Sequence, residues 1–590
     1  MIRIKVRCIL ALLCLAFFLP MPTVAFASSY DFDNSANWNI RVDGEQAGDK
    51  LGRYNISYGD LDGDGKDDLI LSVKSSLGYA GRTDINIIYV ISNSKLQQLS
   101  STGNTIDLAN SNNYSLKIVS AATGDYSDYY LATASDLNNN SKKDLIIGEG
   151  YASHGGVLNR GAVYVIYDSI LDQFAGQTGQ LLDLSDPNSF NLKFVGSTDY
   201  DFLGYSYSAS LDLNNDGKKE LIMNADGASF TNGTASGSLY IVYNDLLTTF
   251  TGVGRIVDLA NANNFNIRVD GPTAGTWTES YIVGENSDIN SDGTNDLLLY
   301  VPWANNNSAP NSGSMYALYS TLLSTYSNVG NIIDLADPTK FNLRIDGIKD
   351  NSLSSGATFG YSVTQVVDVD GNNENDLLVA DGYADMNGRN SSGSAFLIFD
   401  SILQAHAGVS QVLDLTSPTD YSIRYDGASA GGYLGEDIHA VDVDNDGKKD
   451  LILDAAGLSA VYVIKNSQID SSLVGQNYDL SDSSTYTDFY THSSGYLSAP
   501  ATFADFNEDH SVDFLFPDSY TDYNGRADSG SVYLLYNFPH HISVSSTNVS
   551  DDATIRGTVS AANSAAPIND VQYQLNYDRW NLAFMCRRRC

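Results

Sequence analysis

Seven short aspartate-rich stretches carry the residues in this chain best suited to chemistry, and that chemistry is cation binding. They begin at Asp60, Asp136, Asp212, Asp288, Asp368, Asp442 and Asp505. In the first, DLDGDGKDDLIL, Asp60, Asp62 and Asp64 take positions 1, 3 and 5, Gly65 position 6, Lys66 position 7 and Asp68 position 9. Alternate carboxylates converge on one centre as the backbone wraps round it. A glycine at position 6 permits the sharp turn, and the residue at position 7 offers its carbonyl. Several hard oxygen donors suit Ca2+, whereas Mg2+ demands a tighter octahedron and keeps its waters. An EF-hand would need Glu at position 12 and flanking helices. Position 12 is apolar in every copy, as at Leu71 and Leu453, and falls in a strand-like run.

The other copies supply comparable donors. They are Asp136, Asn138, Asn140 and Asp144, then Asp212, Asn214, Asp216, Lys218 and Glu220, then Asp288, Asn290, Asp292, Thr294 and Asp296. Next come Asp368, Asp370, Asn372, Glu374 and Asp376, then Asp442, Asp444, Asp446, Lys448 and Asp450, and last Asp505, Asn507, Asp509 and Asp513. Loops 1 and 6 hold four carboxylates and the glycine; loops 3 and 4 hold three and the glycine. Loop 5 has Asn373 and loop 7 His510 at the glycine position. Loop 2 is the weakest, with only Asp136 and Asp144 charged and Ser141 in place of glycine. The expectation is calcium in up to seven sites, loop 2 binding least well. Asp, Asn and Gly are also ordinary turn formers, but an acid at position 9 in all seven copies argues for a ligand role.

The whole chain fits that reading. Its 590 residues carry 71 acidic and 33 basic side chains, a formal net charge of −38. Nucleic acid as a main partner is excluded, because phosphate binding needs clustered Lys and Arg. Only Cys8, Cys14, Cys586 and Cys590 are present, so no disulfide framework or cysteine-based zinc site holds the body together. The 7 histidines are scattered, without paired metal spacing. Gly427-Ala428-Ser429-Ala430-Gly431 matches a nucleophile-elbow pattern, but it lies between two strands, and sister repeats read GEQAGD and GPTAGT there, without the serine. No enzyme is expected.

The elements that position the loops follow from their spacing. Successive loop starts are 76, 76, 76, 80, 74 and 63 residues apart. A second motif, an Asp followed by an aromatic-Asn/Ser-hydrophobic-basic run, keeps step with them, as in DLANANNFNIRVDG from Asp258 and DLADPTKFNLRIDG from Asp334. Each unit reads as four strands. In the third these are LGYSYSASLDL ending at the acidic loop, then ELIMN, then GSLYIVYN, a short helical piece DLLTTF, and NFNIRV. The apolar run after each loop is continuous, as in a strand covered on both faces. Four antiparallel strands in each of seven units predict an all-β, seven-bladed β-propeller. One fourth-strand motif, around Trp38–Val42, precedes the first set, and none follows the last set at Ser531–Tyr536. The N-terminal strand is therefore expected to complete the final blade and close the ring.

These loops, the Phe/Leu-Gly turn before them (Phe202-Leu203-Gly204, Phe359-Gly360) and the later Gly-Ser/Ala-hydrophobic strand resemble FG-GAP repeats. Such repeats form the propeller at the N-terminus of integrin α chains. The resemblance covers about residues 31–537. It implies calcium in the loops and, more weakly, adhesion or ligand binding. No inserted metal-dependent adhesion domain is visible, so integrin ligand chemistry does not transfer.

The ends differ. Residues 1–27 resemble a secretory signal, with Arg3, Lys5 and Arg7, an apolar stretch, and Ala25-Phe26-Ala27 before Ser28. The mature protein is expected to be secreted or surface-displayed, with no membrane span. Residues 541–590 read as a short β tail, a partial immunoglobulin-like segment whose final NLAFMCRRRC fits neither strand nor cap. Two functions compete: a calcium-binding adhesion or ligand-binding module with an extracellular protein or carbohydrate partner, and an accessory propeller of an extracellular enzyme acting on a polymer. Trp277 and Trp303, in loops on the face opposite the acidic turns, together with Asn305, Asn306 and Asn307, are the candidate ligand platform.

Overall fold

The computed structural model describes residues 28–536, apart from 33, 54–55, 76–77, 80, 100–102, 122–131, 279–286, 306–311, 349–358, 360–364, 492–501 and 510. Beyond 536 it describes only four short strands. The signal-like residues 1–27 lie outside this range.

Seven sheets form the ring, one per repeat. Blade 3 shows the plan: Leu203–Leu211, Glu220–Ala225 and Ser238–Val242 are antiparallel neighbours, and Ile267–Asp270 is the fourth strand. The short helix Asn244–Leu247 lies between the third strand and the fourth. The second strand is buried along its whole length, because each blade is sandwiched between two others. The described buried apolar residues form seven clusters, each built from two adjacent blades. The core of the molecule is therefore the set of seams between blades, which is why the second strand reads as an unbroken apolar run.

The second sequence motif owes its form to packing. Its aromatic residue lies edge-on against the buried aromatic of the third strand. Tyr114 meets Tyr89 at 5.2 Å, Phe190 meets Tyr164, Phe265 meets Tyr240 and Phe341 meets Tyr316 at 5.1 Å, and Tyr421 meets Phe396 at 5.4 Å. Trp38 repeats the arrangement against Tyr533 at 5.7 Å. The basic residue of the motif pairs with the Asp two positions on, as in Arg268–Asp270, Arg344–Asp346 and Arg424–Asp426 at 2.7 Å. Residues i and i+2 share a face of a strand.

Ring closure occurs as expected. Ile40–Asp43 pairs antiparallel with Ser531–Leu535, Ile40 opposite Leu534 and Asp43 opposite Ser531, and completes blade 7. The structure adds a strand that four-strand counting missed. A four-residue segment between the third and fourth strands of each unit lies parallel to the outermost strand of the preceding blade, as Gln180–Asp183 does on Leu116–Val119. The same pairing joins Arg255–Asp258 to Leu192–Val195 and Asn331–Asp334 to Ile267–Asp270. Each unit thus contributes strands to two blades. At the N-terminus Ser28–Asp31 plays this role on Asp488–Thr491 of blade 6, so two strands rather than one close the ring. The first described strand begins at Ser28, three residues before the boundary read from the motif.

In the tail, Asn548–Val549 pairs with Ile555–Arg556, and Gln572–Leu575 with Leu582–Met585. The segment NLAFM, read as fitting no strand, therefore contributes one; tail-local pairing overrides an unpromising sequence pattern. No helix among the described residues is long and apolar enough to cross a membrane.

Candidate metal centres on one face of the ring

In six blades the acidic loop joins the first strand to the second, and in blade 4 it leads into the second strand, Leu297–Val301, so the seven loops share one face. Loops 1 to 6 fold by the same hydrogen bonds, and loop 7 shares the part of them that falls on described residues. The position 1 carboxylate accepts the amides of positions 5 and 6: Asp60 from Asp64 (3.1 Å) and Gly65 (2.9 Å), Asp442 from Asp446 (3.1 Å) and Gly447 (2.9 Å). Positions 4 and 6 are both left-handed, as at Gly63 (φ 77°) and Gly65 (φ 87°). The sequence signalled only position 6. Position 4 is held by Gly63, Asn139, Asn215, Ser291, Gly371, Asn445 and Glu508, all at positive φ. Ser141 (φ 70°) and Asn373 (φ 68°) keep the turn without the position 6 glycine.

The acid at position 9 starts the second strand and is buried. Asp68 accepts the amide of Leu61 at 3.0 Å and, from the start of the short helix after the third strand, that of Asn93 at 2.9 Å. Asp144, Asp376 and Asp450 are held alike by Asp168, Asp400 and Asn466. Burial, opposed by these amides and reinforced by neighbouring carboxylates, pushes the position 9 acids far up. Asp68, Asp144 and Asp376 rise to about 7, Asp450 to about 6, and Glu220 and Asp296 to about 8. Anions held this way are short of positive charge.

Three groups bring carboxylate oxygens within 4.8 Å of one another: Asp60, Asp62 and Asp68; Asp368, Asp370 and Asp376; and Asp442, Asp444 and Asp450. These are positions 1, 3 and 9. Asp64 and Asp446, expected in the same shells, lie outside these groups and accept the amides of Lys66 (3.0 Å) and Lys448 (2.9 Å). Loops 2, 3, 4 and 7 carry Asn138, Asn214, Asn290 and Asn507 at position 3, so they cannot form such a triad. They keep the turn, with Asp136, Asp212, Asp288 and Asp505 accepting the position 5 amide at 2.9–3.1 Å. Asn372, Glu374, Lys218 and Thr294 hold their expected loop places, offering an amide side chain or a main-chain carbonyl.

The donor set fits a hard divalent cation. Every side-chain donor at positions 1, 3, 5 and 9 is a carboxylate or amide oxygen, and buried Asp444 Oδ1 has no hydrogen-bond partner. Such a cation would offset the carboxylate repulsion and give this oxygen a contact.

On the opposite face, Trp277 stacks on Phe202 at 5.9 Å with an interplanar angle of 19°. Trp277 (φ 50°) occupies the turn position held elsewhere by Lys50, Phe202 and Tyr433, all at positive φ. Its neighbour Thr278 donates its amide to Ser236, as Leu203 does to Arg160 and Leu434 to Ser392. Trp303 sits half-buried in the turn closed by Ala304 N donating to Val301 O. Among the described residues the two tryptophans make no ring contact, and Asn306 and Asn307 fall outside them. Gly427–Gly431 forms the turn between Ile423–Asp426 and Leu434–Val441, with no helix after it.

No family model matches the chain. Over 289 residues, 48% of its length, it is 26% identical to integrin alpha-PS5 of Drosophila melanogaster. The chain is distantly related to an integrin α. The match spans 24% of that protein, so the relationship concerns a part of it and not the whole. Ring, loops and relative agree with the FG-GAP resemblance. Among solved structures, the exotype rhamnogalacturonan lyase YesX aligns at a TM-score of 0.34 and 11% identity, over 84% of this chain and 76% of that one.

Proposed function

We propose that this protein is a secreted or cell-surface β-propeller that binds calcium in its acidic loops and acts, without catalysis of its own, as an adhesion or ligand-binding module. The observation that carries the reading is the convergence of three aspartates at the same three positions in loops 1, 5 and 6, on a ring related to an integrin propeller. Calcium fits best because the loops are wide, oxygen-only and rich in carboxylates. The ions act structurally, fixing the turns so that the opposite face, with its longer and more varied loops, presents a constant surface to an extracellular protein or carbohydrate. Aromatic rings there, Tyr151, Tyr200, Phe202, Tyr205 and Trp277, pack in a chain of contacts between 5.0 and 6.2 Å and offer a platform to such a partner.

Binding of the full chain to an array of immobilised glycans and matrix proteins, with calcium and with EDTA, tests this reading. Capture by at least one surface is expected, lost with EDTA and weakened by Trp277→Ala. Absence of capture on every surface would remove the adhesion reading, and full capture in EDTA would remove the role given to calcium.

A further inference from the structure

On the face opposite the acidic loops, one turn recurs with a bulky side chain where glycine would fit best. It leads into the first strand of a blade, and four copies fall on described residues, with Lys50, Phe202, Trp277 and Tyr433 at φ between 50° and 55°. The amide of each donates to a carbonyl in the second-to-third-strand loop of the preceding blade: Lys50 to Asp528 at 3.0 Å, Phe202 to Asn159 and Tyr433 to Ser391 at 3.1 Å, and Trp277 to Ala235 at 3.3 Å. The four side chains therefore hold equivalent places around the ring. The matching turns of blades 2, 5 and 7 fall largely outside the described residues.

A Cβ is crowded in left-handed backbone, and large residues adopt it rarely. In the acidic loops, where only a turn is needed, position 4 falls mostly to glycine and asparagine, as at Gly63, Asn139, Asn215, Gly371 and Asn445. The large side chains on the other face are kept against that preference. Three of them lie on a ring supplied by the preceding blade. Phe202 meets Tyr151 and Tyr433 meets Tyr383, both at 5.0 Å, and Lys50 Nζ stands 4.8 Å over Tyr520. Trp277 stacks on Phe202 of the neighbouring junction. All four are half-buried, and the adjoining Tyr200 and Tyr520 are 50% and 38% exposed, so ring faces are open to a ligand.

The junction of blades 7 and 1 differs in being cationic. Arg53 joins Lys50 there, donating from Nη1 to the Tyr520 hydroxyl at 3.0 Å. Among the described residues Lys50 meets no carboxylate within ion-pair distance, in a chain of net charge −38. The nearby Asp522 is turned onto the amide of Asp528 at 2.7 Å.

We infer that these places are subsites for one acidic polysaccharide, with sugar rings stacked on Tyr433, Trp277 and Phe202 and a carboxylate or sulfate of the polymer against Lys50 and Arg53. A polymer of repeated rings matches binding places repeated at blade junctions. Sugar rings present flat apolar faces to half-exposed aromatics, and a lysine that meets no acid selects an anion. Several weak subsites on one polymer combine into avidity. This rests on the reading of that face as a ligand-binding surface, and it names the ligand class.

Capture of the full chain in calcium on immobilised hyaluronate, chondroitin sulfate and polygalacturonate, on uncharged forms of each, and on fibronectin and collagen tests the inference. At least one acidic polymer should bind, with its uncharged form about tenfold weaker or worse. Lys50→Tyr places in blade 1 the residue type native to the blade 6 turn, and it should abolish that preference for the acidic form. Trp277→Gly combined with Tyr433→Gly relieves the backbone and should stay folded by circular dichroism, while affinity falls about tenfold or more. Trp277→Asn, whose side chain also tolerates this backbone, is the second variant. Unchanged affinity in the folded double variant would overturn the inference. Equal capture of acidic and uncharged polymers would overturn the role of Lys50. Loss of binding only alongside unfolding, in the double variant and in Trp277→Asn alike, would mark the rings as packing and overturn it too. Capture by a matrix protein and by no acidic polymer would overturn it and leave the ligand-binding reading standing, whereas no capture on any surface would remove both.

Discussion

The two faces of the ring solve the same problem, holding the ends of seven blades, with opposite electrostatics. On the loop face, carboxylates gather and are answered chiefly by backbone amides. On the other face, acids meet cations. Arg82 in the second-to-third-strand loop of blade 1 reaches Asp183 at the end of the fifth strand with bonds of 2.9 and 2.6 Å. Arg160 does so with Asp258, Arg389 with Asp479 at 2.9 Å, and Arg526 with Asp107 at 2.6 Å. In blade 3, Asn232 replaces the arginine and donates to Asp334 at 2.6 Å. These latches clamp the added strand to its blade. The loop face has lysine partners too, Lys465 on Asp444 at 3.2 Å and Lys142 on Asp172 at 2.6 Å, so the proposed calcium would supplement counter-ions already there, whereas on the other face each of these acids meets an arginine or asparagine of its own sheet.

The contrast can be broken, and the largest effect is expected from the seam both faces share. Removing residues 28–43 strips the outer strand from blade 6 and the fourth strand from blade 7. The cooperative thermal transition of the whole propeller should disappear; a truncated chain melting within a few degrees of wild type would show that closure is dispensable. Next comes calcium removal. A site saturated at a hundred times its dissociation constant adds about 2.7 kcal/mol, so EDTA should lower Tm by roughly 10 °C or more once several sites act together. An unchanged melting curve would mean the loop face stands unaided after all.

Asp442→Ala addresses a single loop. It removes the carboxylate that holds two amides and one corner of a triad. A loss of about 2–3 kcal/mol is expected in calcium, and much less in EDTA. Equal losses in both conditions would assign Asp442 to the turn and not to the ion.

Acidity gives a finer test. In the metal-free protein the folded-state value of Asp68 is about 7, against an ordinary 3.8. Between those values the folded state binds more protons than the unfolded one, so metal-free stability falls as pH rises from about 4 to 7. Calcium needs the ionised form. The calcium-induced rise in Tm should therefore be full near pH 8 and shrink as pH falls through 7 and 6. A rise independent of pH would sever the position 9 acids from the ion.

The smallest effect belongs to the opposite face. Arg526→Ala breaks a partly exposed latch and should cost at most about 1 kcal/mol, with the loss reduced in high salt and unaffected by EDTA. A calcium-dependent loss would couple the faces and blur the contrast between them.

Much of this was legible in the residues alone. The seven loops fixed the number of blades. The fourth-strand motif before the first blade, with none after the last, required closure through Trp38–Val42, and Trp38 does pack on Tyr533 as its sister aromatics do. Position 9 is acidic for a reason the sequence stated by repetition. Tertiary structure decided what lies between units. The fifth strands, such as Gln180–Asp183, span four residues, too few for alternation to declare itself, and they exist as strands only because an open edge waits on the preceding blade. The latch arginines pair with acids 90 to 101 residues away, or 419 for Arg526, distances at which spacing carries no signal. Trp277 read as half of a platform with Trp303, and only the fold showed that it stacks on Phe202 in a turn common to several blades. The contact of Asp168 with Asn138 and Asn140 was not legible either, because the 28 residues between Asn140 and Asp168 vanish only when the third strand returns the chain to the loop face. Local periodicity determines which elements form; which of their ends meet is set by the ring, and the complement of charges at each loop is a property of those meetings.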